Sequence, residues 1–363
     1  MDLQSVSQKL EKIETTNCNR GKILVTGGSG FFGQILLERL LDDGYDCCNI
    51  DLKETLLVHP RLESLKVDIS DREALRHSLR GRKFSGIIHC AAVMAHVSNL
   101  TSLWRSNVDG TQNLARFARD NKIEKLVFIS SNCLWGKAVG HDIAEDEPPC
   151  PTEIYGRSKE RAEKILQDYC GAMNVVILRP PTIIDAGRLG LLAILFEFIQ
   201  ENRKVWVVGQ GNNRYQFIFA PDLADVCVRA LDFPRSDTFN VGSDAVKPLR
   251  EVYQHVIDVA GSRSRVCSLP KGPTLLAMKL AHRLGISPLG RYHYNMIAEE
   301  FCFDTRHVKA TLGWQPTLTN EQMLSRAYTY YQTNSIEIGS RRTSSAHRTS
   351  AAMGVIRFLK WIS

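Results

Sequence analysis

Tyr155 and Lys159 stand four positions apart in Tyr155-Gly156-Arg157-Ser158-Lys159, so a helix through them carries a phenol and an ammonium on one face. The chemistry of that pair is proton transfer. A phenol with an ordinary pKa of about 10 accepts a proton at neutral pH only when a nearby cation stabilises the phenolate. Ten tyrosines and a lysine frequency of about 6% would produce roughly 0.6 such pairs by chance, so the pair takes its meaning from its surroundings. A hydroxyl stands at Ser131, where Ser130-Ser131 closes an apolar run that begins at Leu126. Ser131 is placed to hold a substrate oxygen while Tyr155 moves its proton and a cofactor exchanges the hydride.

A second constellation lies near the other end of the chain. Thr26-Gly27-Gly28-Ser29-Gly30-Phe31-Phe32-Gly33 follows the apolar run Lys22 to Thr26 and precedes a segment with helical spacing, Phe31 to Leu41. Strand, tight turn and helix in that order suit a dinucleotide. Gly27 permits the turn, Gly30 lets backbone approach a pyrophosphate, Gly33 allows close helix packing, and the helix N-terminus, opened by Phe31 and Phe32, offers N–H groups to the anion. Asp51, eighteen positions after Gly33, ends the second strand where a carboxylate can accept both ribose hydroxyls. An anion there repels a 2′-phosphate, which favours NAD over NADP, although Lys53 offsets part of that repulsion. Asp68 and Ile69 follow the third strand and either touch the adenine or form a surface turn. His89-Cys90-Ala91-Ala92 ends the fourth, and the small Ala91 and Ala92 let a cofactor lie against the backbone. His89 itself reads better as a satisfied buried imidazole than as a catalyst.

These residues need a scaffold, and the periodicity supplies one. Strand-like runs recur at Cys47 to Asp51, Ser64 to Val67, Gly86 to Cys90, Leu126 to Ser130 and Val175 to Arg179. Amphipathic stretches at Asp71 to Leu79, Asn107 to Asn121 and Tyr155 to Cys170 separate them. This alternation predicts an α/β fold, a Rossmann-type doubly wound parallel sheet whose ligands bind at the carboxyl ends of the strands. Beyond Pro180-Pro181 the pattern changes to a helix over Leu189 to Ile199, strands at Val205 to Val208 and Tyr215 to Phe219, and a helix over Asp222 to Leu231. The expected organisation is a polar lead over 1–20, a dinucleotide-binding domain over 21–180, a smaller mixed α/β substrate lobe over 181–333 and a basic flexible tail over 334–363. Strands of the second lobe are free to return to the main sheet.

Composition excludes several classes. With 363 residues, 44% hydrophobic and 23% charged, the chain is neither disordered nor fibrous. The formal charge of +7 would suit an anionic partner, but residues 334–363 hold Arg341, Arg342, Arg348, Arg357 and Lys360 against Glu337 alone, a net +4. The remaining +3 is too mild for a nucleic-acid binder. Ten scattered cysteines include no pair at metal or redox spacing, and ten histidines form no cluster, so no metal site and reduced thiols in a cytoplasm are expected. The first twenty residues lack the apolar core of a secretory signal, and no apolar run of about 18 residues is long enough to span a membrane. The closing segment, GVIRFLKWIS, interleaves apolar and basic residues. It is a candidate for weak peripheral contact with an anionic membrane, with packing on the body or plain disorder as the competing readings.

With these motifs in order, the sequence resembles the extended short-chain dehydrogenase/reductase family, also called the NAD-dependent epimerase/dehydratase family, over roughly residues 20–333. The resemblance includes Asn107-Val108-x-Gly110-Thr111-x-Asn113, the SSNCLWG segment ending at Gly136, Arg179-Pro180-Pro181, the segment from Gly209 to Ala224 and LGWQPT from Leu312 to Thr317. It implies Ser131, Tyr155 and Lys159 as the catalytic set, supported by Asn107, with Tyr155, Lys159 and Pro181 also meeting the cofactor, and a small-molecule substrate bound by Ser131, Asn132, Thr182 and Arg214. It also implies a homodimer.

Two departures narrow the reaction. Asn132 and Cys133 stand where sugar-nucleotide dehydratases of the family carry an Asp-Glu pair, which removes the general acid needed for elimination. Thr182 replaces an asparagine frequent in epimerases, which weakens a nucleoside diphosphate sugar as substrate. Arg214 matches a phosphate-binding arginine or is a surface arginine on a strand edge. Leu189 to Ile199 is apolar enough for core, a dimer contact or the wall of a lipophilic site. The readings that follow are an NAD(P)-dependent oxidoreductase of a secondary alcohol and its ketone, with nucleotide-sugar epimerisation as one form; a dehydrogenase of a hydroxysteroid or keto-lipid; and a catalytically silent NAD-binding regulator.

Overall fold

A computed structural model of the protein describes residues 20–94, 99–189, 192–283 and 297–334. Apart from Arg20 and Asn334, the polar lead and the basic tail lie outside these residues, and so does the GVIRFLKWIS segment.

The first lobe is built from short apolar strands that the chain visits in turn. β1 (Lys22–Thr26), β2 (Asp46–Asp51), β3 (Leu62–Lys66), β4 (Gly86–His89), β5 (Lys125–Ile129), β6 (Asn174–Arg179) and a later strand, β10 (Asp237–Asn240), form one sheet. Its order is β10-β6-β5-β4-β1-β2-β3, with every pairing parallel. From β1 the chain moves outward to β2 and β3, then returns to the other side of β1 for β4. The reversal opens a crevice between the carboxyl ends of β1 and β4, the place where such sheets bind ligands.

Alternation along each strand divides the core. In β1, Ile23 and Val25 face a cluster with α1 (Phe31–Asp42) and α7 (Ala220–Asp232), whereas Leu24 faces one with α2 (Arg72–Ser78), α4 (Gly110–Asp120) and α5 (Ile154–Gln167). A parallel sheet covered on both faces needs apolar residues on both, which is why its central strands are almost unbroken hydrophobic runs. α3 (Leu100–Trp104) is followed directly by a π-helical turn over Arg105–Asp109, and that turn presents Asn107 before α4 begins. A π turn of this kind concentrates at functional positions because its extra residue redirects a side chain.

The second lobe takes its core from distant segments. β7 (Thr182–Ile184) pairs with β9 (Phe217–Phe219), and β8 (Val205–Val208) with β11 (Val266–Leu269). α6 (Leu192–Gln200), α8 (Leu249–Val259) and α11 (Asn320–Thr333) pack around them, and α9 (Lys271–Arg283) and α10 (Arg306–Leu312) fall between α8 and α11 in the chain. α11 opens on a capping box, in which Thr319 and Gln322 exchange side-chain and backbone bonds.

Several boundaries differ from expectation, two of them in the second lobe. The strand expected over Tyr215 to Phe219 shortens to β9, because Tyr215 instead forms an isolated bridge with Phe301 and the Gln216 side chain bonds the Ser243 carbonyl and the Phe303 N–H. The apolar stripe expected from Leu189 forms α6 from Leu192, with Phe196, Phe198 and Ile199 buried in the second core.

Candidate active site

The glycine run shapes a cradle at the β1 end of the crevice. Gly27 takes φ +77°. At Gly33 a Cβ would stand 2.2 Å from the Gly27 carbonyl oxygen, so only glycine lets α1 start against this turn. Gly30 is the N-cap, and no side chain caps α1 or adds an acid to its first turn. The first N–H groups of α1 are therefore suited to an external anion. Phe32 is buried beneath the helix, and Phe31 is half-buried beside the loop.

Asp51 sits over the same loop. One carboxylate oxygen accepts the Ser29 N–H at 3.0 Å and the other accepts the Lys53 N–H at 3.0 Å. Asn49, buried in the middle of β2, was not singled out from sequence. Its carbonyl oxygen accepts the Gly28 N–H at 2.9 Å, and its amide donates to Ser29 Oγ and Ser64 Oγ. A polar residue inside the apolar run Cys47 to Ile50 was the available signal. Donors at a helix start, a tight glycine turn and a carboxylate at the end of β2 fit the chemistry of a dinucleotide.

Asp68 is exposed and its carboxylate accepts the Ser70 N–H, while its carbonyl accepts that of Asp71, so it forms the turn into α2. Ile69 has its side chain in the core, and its carbonyl accepts from the Asn113 amide. Ala91 donates its N–H to Thr26 Oγ1 and lies so close to Gly27 that a Cβ on the latter would be 2.7 Å from the Ala91 backbone. Ala92 continues along the same edge, half-buried.

His89 is fully enclosed, with Nδ1 2.6 Å from Thr26 Oγ1 and Nε2 2.9 Å from Thr111 Oγ1. Thr111 donates to the Asn107 carbonyl, so it accepts from Nε2–H, and Thr26 donates to Nδ1. Burial first, and the Lys159 charge second, push the His89 pKa down to about 3. The imidazole is a neutral strut between the glycine turn and Asn107.

The residues expected to move the proton lie beyond β5. Lys159 is buried and donates to the Ile129 carbonyl at 2.7 Å, two positions before Ser131, with its ammonium 4.5 Å over the Phe128 ring. Burial lowers its pKa to about 8, against the opposing pull of Cys90, Glu163 and Cys133. Tyr155, half-buried, lies one helical turn earlier on α5. Gly156 brings that turn against the short 3₁₀ turn at Asn132–Leu134, since a Cβ there would stand 2.1 Å from the Cys133 carbonyl oxygen. Asn107 donates to Ser158 Oγ at 3.0 Å, and Ser158 donates to the Tyr155 carbonyl at 2.7 Å. Glu163 holds Arg179 of β6 through two bonds of 3.1 and 2.7 Å, fixing α5 to the sheet. Ser131 accepts the Cys133 N–H at 3.1 Å.

The second lobe reaches this group through the Tyr215 phenol. Asn132 donates its amide to Tyr215 Oη at 3.0 Å, and Tyr215 Oη lies 3.1 Å from Thr182 Oγ1. Asn132 also hydrogen-bonds the Pro180 carbonyl through its N–H, next to the buried Pro181. Arg214 is not brought into this group. Its guanidinium pairs with Asp142 at 2.9 Å and Glu300 at 2.6 Å, both at the surface. Extended backbone sends neighbouring side chains to opposite sides, and here Tyr215 faces Asn132 while Arg214 faces away.

A crevice at the strand-order reversal and a Tyr-Lys pair beyond β5 define a two-lobed dinucleotide-binding α/β protein. Comparison with known proteins names the family. Residues 23–242 match the NAD dependent epimerase/dehydratase family, and the chain belongs to it as an NAD-dependent enzyme. An uncharacterized protein, y4nG, of Sinorhizobium fredii is 36% identical, covering 93% of this chain and 85% of its own. UDP-glucose 4-epimerase of Mycolicibacterium smegmatis is 26% identical over 86% of this chain and 99% of its own. A 3 beta-hydroxysteroid dehydrogenase/Delta 5-->4-isomerase of Mycobacterium tuberculosis is 25% identical over 86% and 90%. Among solved structures, the Bordetella bronchiseptica enzyme WbmG in complex with NAD shares the fold, with a TM-score of 0.72 and 19% identity over 88% of this chain and 96% of that one.

Proposed function

We propose that the enzyme interconverts a secondary alcohol and a ketone, with Tyr155 as general acid/base, Lys159 as the cation that makes its phenolate accessible, and Ser131 as the holder of the reacting oxygen. The observation that carries this reading is the placement of Lys159, a buried ammonium held by the Ile129 carbonyl beside Ser131 and one turn from Tyr155. NAD, when bound, supplies the hydride acceptor. In the oxidising direction Tyr155 takes the hydroxyl proton while Ser131 orients the oxygen. Asn107 holds the start of α5 in place through Ser158. Asn132 and Cys133 carry no carboxyl group, so the reading excludes dehydration.

Epimerisation of a nucleotide sugar, as in the epimerase relatives, is the first form of this activity. A second form, net oxidation of a lipophilic alcohol such as a hydroxysteroid, draws support from the neutral wall of Asn132, Thr182 and Tyr215 and from the engagement of Arg214 by two carboxylates. As part of the same proposal the enzyme works as a cytoplasmic homodimer, which sedimentation of the purified protein and cell fractionation test.

The deciding experiment incubates the NAD-loaded protein with UDP-glucose, with UDP-galactose and with a panel of 3-hydroxysteroids. Appearance of the other UDP-hexose without net NADH identifies epimerisation, and stoichiometric NADH identifies the dehydrogenase. Conversion of none, by a protein that binds NAD, overturns the reading in favour of a silent binder.

A further inference from the structure

Arg188 lies in the second lobe, yet its side chain meets the first lobe at the cofactor crevice. Its guanidinium carbon is 5.6 Å from the centre of the Phe31 ring, and its NH2 group is 3.9 Å from Met94 Sδ. Phe31 opens α1 at the end of the glycine turn after β1, and Met94 lies just beyond β4. Those neighbouring strands are the pair at which the sheet order reverses. The guanidinium therefore spans the two lips of the crevice where a dinucleotide lies.

The approach is built rather than incidental. Arg188 N–H bonds the Asp185 carbonyl at 3.2 Å, closing a tight turn after β7, with Gly187 at φ +88°. Asp185 is held in turn by Arg326 of α11 at 3.4 Å. A Cβ added at Gly187 would only just reach van der Waals contact with Phe31, at 3.9 Å, so the turn passes near that ring without pressing on it.

Charge supplies the second part of the argument. The glycine run and the first turn of α1 contain no lysine or arginine, and Asp51 adds a carboxylate to the same loop. From the glycine run and the first turn of α1, a pyrophosphate would meet N–H groups and the helix dipole rather than a basic side chain. Arginine presents planar, paired donors to phosphate oxygens and stacks on aromatic rings at the same time.

We propose that Arg188 is a cofactor-binding residue contributed by the second lobe: it stays stacked on Phe31 and donates to the pyrophosphate of NAD, so that cofactor binding ties the two lobes together. The proposal rests on the NAD site alone and is independent of which alcohol or ketone the enzyme takes.

Calorimetric titration of the full-length protein tests it with three ligands: NAD, ADP-ribose, which keeps the pyrophosphate, and adenosine, which lacks it. Arg188→Met keeps aliphatic packing on Phe31, Arg188→Ala does not, and Arg214→Ala removes a cation paired at the surface. Both Arg188 variants are expected to weaken NAD and ADP-ribose about tenfold, with a shallower salt dependence, and to leave adenosine unchanged. Arg214→Ala is expected to bind all three as the wild type does. The proposal is overturned if Arg188→Met binds NAD within twofold of wild type, or if adenosine weakens in parallel with NAD, which would mean a disturbed loop rather than a lost charge.

Discussion

The two walls of the crevice are made in different ways. The proposed cofactor wall is mostly backbone: the turn at Gly27 and the start of α1, adjacent in the chain, with the Ala91 edge brought against them across the sheet. The proposed substrate wall consists of side chains from three remote segments, Asn132, Thr182 and Tyr215, joined by hydrogen bonds. A backbone wall tolerates no added atom, whereas a side-chain wall is retuned by exchanging one group. On this reading the cofactor wall can be kept while the substrate wall is retuned.

The contrast can be broken most sharply at the junction of the walls. Tyr155→Phe is expected to lower kcat by about 10²- to 10⁴-fold while calorimetry shows NAD affinity within threefold of wild type. Comparable loss of NAD binding would place Tyr155 on the cofactor wall instead.

Next in size is Tyr215→Phe. Removing the phenol oxygen leaves the buried Asn132 amide without that acceptor, at a cost of about 1–3 kcal/mol. The expected result is a KM raised about tenfold or more on the substrate that the panel identifies, with an unchanged NAD affinity. A shift in NAD affinity equal to that in KM would dissolve the distinction between the walls.

His89 sharpens the comparison through pH. Its folded pKa of about 3 lies below its unfolded value, so the unfolded chain binds more protons between the two. Stability is then fully present above about pH 6.5 and is lost as pH falls towards 3. Between pH 6.5 and 5 the loss is roughly 2 kcal/mol, read as a falling urea midpoint. His89→Gln, which can still bond both threonines, is expected to flatten this limb, and an unchanged limb would assign it to other groups.

The smallest effect belongs to Arg214→Ala. Its pairs with Asp142 and Glu300 are at the surface, where such contacts are worth about 0–1 kcal/mol. KM is expected to stay within twofold, and a tenfold rise would return Arg214 to the substrate wall.

Legibility followed the same division. The glycine run, Asp51 and the Tyr155-Lys159 pair were readable because turn, strand and helix chemistry act over a few residues, and a helix turns neighbours four apart to one face. The β/α alternation announced a parallel sheet for the same reason. Asn49 was missed because its partners Gly28 and Ser64 lie on other segments. Gly156 passed as a spacer in the Tyr-Lys motif until packing set it against Cys133.

The sequence by itself determined the elements, the order of the motifs and the chemistry available at each. The tertiary structure alone decided which of two adjacent residues, Arg214 or Tyr215, faces Asn132, and that Arg188 crosses from one lobe to the other. The reason is physical: local rules set conformation residue by residue, but facing depends on strand ends, bridges and partners up to a hundred positions away. For Tyr215 those partners include Phe301 and Asn320, which no window of neighbouring residues contains.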